Sequence, residues 1–305
     1  MSGKVLVFGS INTDLIVYVK ALPQPGETVT GDTWDSFPGG KGANQAVAAA
    51  RCGVPAAVYG CLGDDAFGRE RLASLEATGV STAGVTVRPG KRSGVAMITV
   101  DTHGENSIAV ALGTNMLFEP ADVDFPKPPP GETWVTLFQN EIPRATTEAL
   151  IQTAHAAGCM VIWNIAPTIG ERPDRRILDC VDCIVCNRNE LRELVGSAGP
   201  VEQQACVPLE WGVGSVIVTL GSEGSIWASK EGSVRQEAFP VDSVDAVGAG
   251  DCFCGVLAAS IASGMPMKAA LRRASAAAAI STTRRGAQPS MPMAAEVDEF
   301  LKARR

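Results

Sequence analysis

Lys4-Val5-Leu6-Val7-Phe8-Gly9-Ser10-Ile11-Asn12-Thr13-Asp14 is the stretch that decides the fold. Lys4 to Phe8 is a short apolar run and predicts a buried β-strand, which Gly9 ends. Working outward, Ala43 to Cys52 reads as a small-residue helix stopped by Gly53, and Ala56 to Cys61 as the next strand. Phe67 to Thr78 reads as a helix with Gly79 as its stop signal. Further short strands are expected at Trp134–Phe138, Val161–Asn164, Ile184–Cys186 and Val216–Leu220, with helices at Thr146–Ala157 and Arg188–Val195. This alternation predicts an α/β fold with a mostly parallel sheet covered by helices on both faces.

Two stretches break the rhythm. Leu15–Val19 and Gly94–Leu112 have the look of pleated strands, the latter folded at Asp101-Thr102-His103-Gly104. With Thr28–Trp34 they predict a small second sheet, a lid drawn from about residues 15–34 and 94–112. Exposed lid strands that pair between subunits imply a homodimer. Lys127-Pro128-Pro129-Pro130-Gly131 reads as a surface turn, so residues 1–305 are expected to form a single domain.

A formal net charge of -7 argues against nucleic-acid and membrane-surface partners, so an anionic ligand must be held by local donors. The nine scattered cysteines do not suggest a disulfide framework, and no apolar run approaches a membrane span; a cytoplasmic location is expected. Cys180, Cys183 and Cys186 have a spacing compatible with a metal cluster. However, residues three apart on a strand point to opposite faces, which favours plain packing. His103 and His155 lack metal-ligand spacing.

Three segments carry chemistry. Asp245-Ala246-Val247-Gly248-Ala249-Gly250-Asp251 runs into an apolar helix expected from Cys252 to Ser263. Small residues let backbone N–H groups approach an anion, and a helix start adds unpaired donors and partial positive charge. Asp251 suits a general base acting on a hydroxyl, and equally suits a helix cap; the segment alone leaves that choice open. Gly39-Gly40-Lys41-Gly42-Ala43-Asn44-Gln45 permits close ligand approach, with Lys41 and Asn44 as donors, or is a glycine-rich helix start with a surface lysine. It lacks the spacing of a Walker A loop. Gly9-Ser10-Ile11-Asn12-Thr13-Asp14 lies where an open α/β sheet faces its ligand crevice. Asn12 and Asp14, two apart in extended chain, point one way and suit a polyhydroxylated ligand or an Asx turn.

Gly-Gly-Lys-Gly-Ala-Asn-Gln at 39–45 together with Asp-x-x-Gly-Ala-Gly-Asp at 245–251 resembles the PfkB carbohydrate kinase family. Pro25-Gly26-Glu27-Thr28-Val29, Gly63-Asp64-Asp65, Gly104-Glu105-Asn106 and Arg285-Gly286-Ala287-Gln288-Pro289-Ser290 look like segments of its ribose-phosphorylating members, in their order. The resemblance covers essentially the whole chain. It implies a three-layer αβα kinase domain with a β-sheet lid, D-ribose and ATP as substrates, Mg2+, and a monovalent cation activator, K+. Deoxyribose, fructose or a nucleoside is the alternative acceptor, and a non-catalytic sugar sensor the remote one.

By the same resemblance, Asn12, Asp14, Gly39, Gly40, Lys41, Asn44 and Glu141 would hold the sugar, and Asp251 would deprotonate it. The N–H groups of Gly248, Ala249 and Gly250 would form the anion hole. Asn187, Thr219, Gly221, Ser222, Gly224, Gly250 and Ser275 would meet ATP, with Glu190 reaching magnesium through water. Asp245, Val247, Ser281, Arg284, Gly286 and Ser290 would form the K+ loop, mostly through backbone carbonyls. The chain departs from the family pattern at Ala246 and Cys252, where threonine is usual. It departs again at Asn187-Arg188-Asn189-Glu190, which is less acidic than the family form, and at Ser275, where a histidine can stand near adenine.

Overall fold

The structure, a computed structural model, describes residues 3–168 and 170–304. Among the described residues thirteen strands form: β1 (Lys4–Phe8), β2 (Asn12–Val19), β3 (Gly31–Gly39), β4 (Ala56–Gly63), β5 (Ser81–Arg88), β6 (Gly94–Val100), β7 (Asn106–Ala111), β8 (Trp134–Phe138), β9 (Met160–Asn164), β10 (Cys183–Asn187), β11 (Ser215–Thr219), β12 (Ser225–Ser229) and β13 (Gly232–Gln236). The helices are α1 (Lys41–Arg51), α2 (Ala66–Ala77), α3 (Arg144–Ala156), α4 (Arg175–Leu178), α5 (Arg188–Val195), α6 (Val201–Glu210), α7 (Ala249–Ala262), α8 (Met267–Thr282) and α9 (Ala294–Lys302).

The larger sheet has the order β13-β12-β11-β10-β9-β8-β1-β4-β5. Its strands are parallel from β5 to β11, while β12 and β13 add an antiparallel edge. The period-2 alternation of β1 explains why both faces are covered. Val5 and Val7 enter a core with α1, α7 and α8, while Leu6 and Phe8 enter a second core with α3, and all four are fully buried. Each such side chain stabilises the fold by about 1.5–3 kcal/mol.

Helices α1 and α7 lie against each other on one face of the sheet. They approach closely at Gly255, where an added Cβ would stand 2.3 Å from the Gln45 carbonyl oxygen. Only glycine allows that spacing, which brings the first turns of α1 and α7 together at the C-terminal ends of β1, β8 and β9.

The second sheet, order β3-β2-β6-β7, stands apart from the first. β2 leaves directly from the end of β1, and β3 runs straight into α1. The strands expected for a second sheet are therefore present with shifted bounds: Thr28–Thr30 is not strand, and pairing begins at Gly31 and runs to Gly39. Pairing also extends β2 back to Asn12, where Asn12 faces Gly39 across the ladder. The register places Val17, Trp34 and Met97 on one face and Asp14, Ile108 and Val110 on the other. The apolar members of both sets are exposed.

The cysteine spacing resolves as packing. Cys183 belongs to one core and Cys186 to the other, on opposite faces of β10. No disulfide joins any of the nine cysteines, and among the described residues no cluster of metal-binding side chains occurs.

Candidate active site

The helix that follows the glycine loop starts earlier than expected, at Ala249 rather than Cys252. Gly248 is its N-cap, with a left-handed φ of 74°, and a Cβ there would lie 2.8 Å from Ala287 Cα. Asp251 therefore sits in the first turn of α7 and does not cap it. Its carboxylate turns inward instead: Oδ2 accepts from Asn44 Nδ2 at 2.9 Å and Oδ1 from Gln45 Nε2 at 3.0 Å. Both donors come from the first five residues of α1, which the glycine contact at residue 255 brings within reach.

Of the expected anion-hole donors, the Ala249 N–H donates to the Ala246 carbonyl at 3.2 Å, so its engagement differs from a donor aimed outward. Among the described residues nothing accepts from the N–H groups of Gly248 and Gly250. A Cβ on Gly250 would meet nothing within 4 Å. Protein packing thus does not demand this glycine, whereas close approach of a ligand to its backbone would.

The expected sugar-holding residues gather beside Asp251. Asn12 Oδ1 accepts from Asn115 Nδ2 at 2.7 Å, which orients the Asn12 amide. Asp14 is pressed against Gly39, where a Cβ would fall 2.2 Å from its Oδ2. Gly40, at φ 88°, passes close over the Asn12 backbone N–H. Glu141 Oε2 accepts from the Lys41 backbone N–H at 3.2 Å and from the Ser10 hydroxyl.

Burial pushes the Asp14 carboxyl up to about 6, and neighbouring Glu141 adds to the rise; the guanidinium of Arg71 on α2 opposes it. Lys41 shifts the other way from a buried amine. The Asp251 carboxylate, aided by Glu141 and Glu190, raises its pKa despite desolvation. One ammonium thus serves several carboxylates at the centre of the site.

On the far side of Gly250 lies a cavity of about 690 Å³. Thr219, Gly221, Ser222, Gly224, Gly250 and Ser275 all line it, so six of the seven expected nucleotide residues come together. Asn187 does not line it, although it pairs with Thr219 across β10 and β11. Its side-chain oxygen accepts from the N–H groups of Asn189 and Glu190, while Glu190 Oε2 accepts from the Asn187 N–H at 2.7 Å. The N-x-x-E element is thus a capping box that starts α5. Burial raises the Glu190 pKa, and Lys41 opposes that rise. The remaining cavity wall is mostly apolar, with Phe239, Pro240 and Phe253 among its members. Sequence reasoning did not foresee these, since nothing in their local pattern distinguishes them from core.

Among the residues expected to form the cation loop, Asp245 contacts Val247 and Gly286. Asp245 Oδ1 accepts from the Val247 N–H at 2.9 Å and Oδ2 from the Gly286 N–H at 2.8 Å. One carboxylate thereby ties the glycine loop to the turn after α8. Ser281 accepts from the Arg284 N–H through its carbonyl, and the Ser290 hydroxyl donates to Ala287.

Six polar residues at the site were given no role from sequence, namely Ser10, Gln45, Asn115, Gln139, Asn164 and Gln288, although Ser10, Gln45 and Gln288 stand within the quoted segments. Gln45 Nε2 also donates to Asn164 Oδ1 at 3.1 Å, and Gln139 Nε2 donates to Gln45 Oε1 at 2.7 Å. Gln288 Nε2 donates to Asn44 Oδ1 at 3.1 Å. The available signal was a glutamine inside an otherwise apolar, alanine-rich helix, which needs a buried partner.

Comparison with known proteins places these features. The model of the pfkB family of carbohydrate kinases matches residues 2–294. The chain is 39% identical to a ribokinase of Schizosaccharomyces pombe, covering 96% of each chain. It is 33% identical to a deoxyribokinase of Salmonella typhi, covering 97% of this chain and 98% of that one. The structure of an Arabidopsis thaliana ribokinase complexed with ribose and ATP superposes with a TM-score of 0.88 at 30% identity, covering 99% of both chains.

Proposed function

Since this chain is a member of the pfkB family of carbohydrate kinases, we propose that it is a ribokinase, converting D-ribose and ATP to D-ribose 5-phosphate and ADP. One observation carries this reading. The Asp251 carboxylate stands between a hydroxyl-binding set and the large cavity, hydrogen-bonded to Asn44 and bordered by Gly250. Asn12, Asp14, Lys41, Asn44 and Glu141 offer mixed donors and acceptors suited to a compact sugar, with Gly39 and Gly40 admitting it.

Asp251 takes the proton of the primary hydroxyl as its oxygen bonds to the γ-phosphorus. The bond from that phosphorus to the β–γ bridging oxygen breaks, and ADP leaves with the electron pair. First-turn N–H groups of α7, with Gly248, Ala249 and Gly250 as the proposed donors, hold the charge on the transferred group. Occupation of the hole would draw the Ala249 N–H from its bond to Ala246.

The residues present fit magnesium shared with phosphates. Glu190 keeps one carboxylate oxygen outside its capping bond, and with few protein ligands the ion would retain water. Magnesium so held would neutralise phosphate charge. The Asp245, Val247, Ser281, Arg284, Gly286 and Ser290 loop offers hard oxygen donors and fits a monovalent cation such as K+, which would stiffen the glycine loop from behind. We further assign residues 1–305 to one kinase unit, working in the cytoplasm, with the small sheet as lid. Among the described residues no helix is long and apolar enough to cross a membrane.

The deoxyribokinase relative supports deoxyribose as the second reading for the acceptor. A coupled assay of ADP release with ribose, deoxyribose, fructose and adenosine decides between them. Ribose is expected to show the highest kcat/KM, and a clear lead for any other acceptor would refute the assignment. Asp251→Asn should lower kcat by about 10²–10⁴ while leaving ribose affinity largely intact. Sugar binding without any ADP release by the wild type, with magnesium and potassium supplied, would instead indicate a sensor.

A further inference from the structure

We infer that Gln45 is the positioning residue of the base: its carboxamide, locked between Gln139 and Asn164, sets the direction of the Asp251 carboxylate. The inference rests on Asp251 being the base.

Gln45 is fully buried, and every hydrogen-bonding atom of its side chain has one assigned task. Its two N–H groups go to Asp251 Oδ1 at 3.0 Å and Asn164 Oδ1 at 3.1 Å, and its oxygen accepts from Gln139 Nε2 at 2.7 Å. Asn164 is fixed in turn, donating through Nδ2 to the Val185 carbonyl at 3.0 Å. A reversed Gln45 amide would set its oxygen against both the Asp251 carboxylate and the Asn164 oxygen, so the neighbours permit one orientation only. Gln139 and Asn164 stand at or just beyond the ends of β8 and β9, rigid parallel strands of the main sheet. The carboxylate is thereby referenced to the sheet rather than to the movable lid.

The two amides that hold Asp251 differ in kind. Asn44 belongs to the proposed sugar-binding set, so its donor is shared once substrate arrives. Gln45 lies beneath, out of a ligand's reach, and keeps its bond through the cycle. A neutral donor aligns a carboxylate and favours its ionised form without cancelling its charge, which is what a base requires. The charged and titratable groups around Asp251 are Lys41 from α1, Asp14 from β2, Glu190 from α5 and the thiols of Cys252 and Cys254 on α7. Among the described residues Lys41 is the one cation in this set, and it also serves Glu141 and Glu190, so the amide bond is not redundant.

The test compares Gln45→Met and Gln45→Glu with wild type, reading kcat, ribose KM and the pH profile of kcat. Gln45→Met should lower kcat about 10–100-fold, the effect of losing a hydrogen bond to a charged group, with ribose KM changed far less. Its acid limb should move to higher pH because the ionised base loses a donor. Gln45→Glu sets two carboxyl groups together, and its limb should move up by more than about one pH unit. Should either variant fail to give the wild-type circular dichroism spectrum, Gln139→Met, which frees the Gln45 oxygen, is expected to lower kcat with the same small KM change. A folded Gln45 variant with a wild-type acid limb overturns the inference, as does a Gln139→Met enzyme with wild-type kcat. Asp251→Asn is run alongside. If it retains turnover, the base assignment fails; if it is inactive while the Gln45 limb stays put, only the role of Gln45 fails.

Discussion

Asp14 shows how a single carboxylate ties function to stability. Desolvation, with Glu141 adding, raises its pKa to about 6 from an ordinary 3.8. The folded state therefore disfavours the ionised form. Its contribution to stability is complete below the ordinary value and is lost as pH rises through about 6. The ionised form, which is the costly one, is the stronger acceptor of a hydrogen bond from a sugar hydroxyl. Ribose KM in the wild type should accordingly rise as pH falls below about 6. Asp14→Asn should melt roughly 2–4 °C higher than wild type at about pH 8, a margin that closes toward pH 4. The same variant should bind ribose about 10–100-fold more weakly, with a pH-independent KM. A melting margin that grows on acidification would show that the carboxylate is not strained by burial. At this scale the sequence was half legible. Asp14, Asn44 and Asp251 stand in compact motifs whose chemistry can be read locally. Gln45, Gln139 and Asn164 could not be joined from sequence, because the two hydrogen bonds between them span 94 and 119 positions and depend on sheet order.

At the scale of elements, the first turn of α7 separates glycines that serve packing from those that serve approach. Gly248 adopts a left-handed φ of 74° and crowds Ala287, so an alanine there strains both backbone and neighbour. Gly250 has helical geometry and open space around its missing Cβ. Gly248→Ala should destabilise the protein by at least about 1–3 kcal/mol, seen as a lower melting temperature. Gly250→Ala should leave melting within a few degrees or raise it slightly, since alanine favours helix by about 1 kcal/mol. Yet it should weaken kcat/KM for ATP by an order of magnitude or more, because the methyl group would stand in the proposed phosphate site. Equal damage to stability and activity from both substitutions would contradict this division. The helix was predicted to start three residues late because the glycines that open it carry low helix propensity, and packing against α1 outweighs that propensity. The β12–β13 hairpin and α8 went unread for a related reason: short mixed strands and an alanine-rich helix give weak periodicity.

For the whole molecule, the two sheets stand in different conditions. The nine-stranded sheet is covered on both faces, and its alternation of strand and helix was legible because parallel strands require crossovers. The four-stranded sheet presents Val17, Trp34 and Met97 on one face and Ile108 and Val110 on the other, all 40% or more exposed. A small sheet with apolar groups on both faces is poorly suited to stand in water by itself, and such patches mark contact surfaces. Asp14 shares the face of Ile108 and Val110, so a second copy of the chain seated on that face would also border the proposed sugar site. The homodimer expected from the sequence, if it forms through these strands, would therefore carry a consequence for catalysis. Ile108→Ser with Val110→Ser should shift sedimentation from dimer to monomer and raise ribose KM several-fold, while the ATP cavity, remote from these strands, keeps its affinity. Sedimentation of the wild type as a monomer at micromolar concentration would remove the dimer. A monomeric double variant with unchanged ribose KM would keep the dimer but separate it from the site. The outcome that unites them is a ribose KM that depends on enzyme concentration in the variant, because only the associated fraction would have its lid supported.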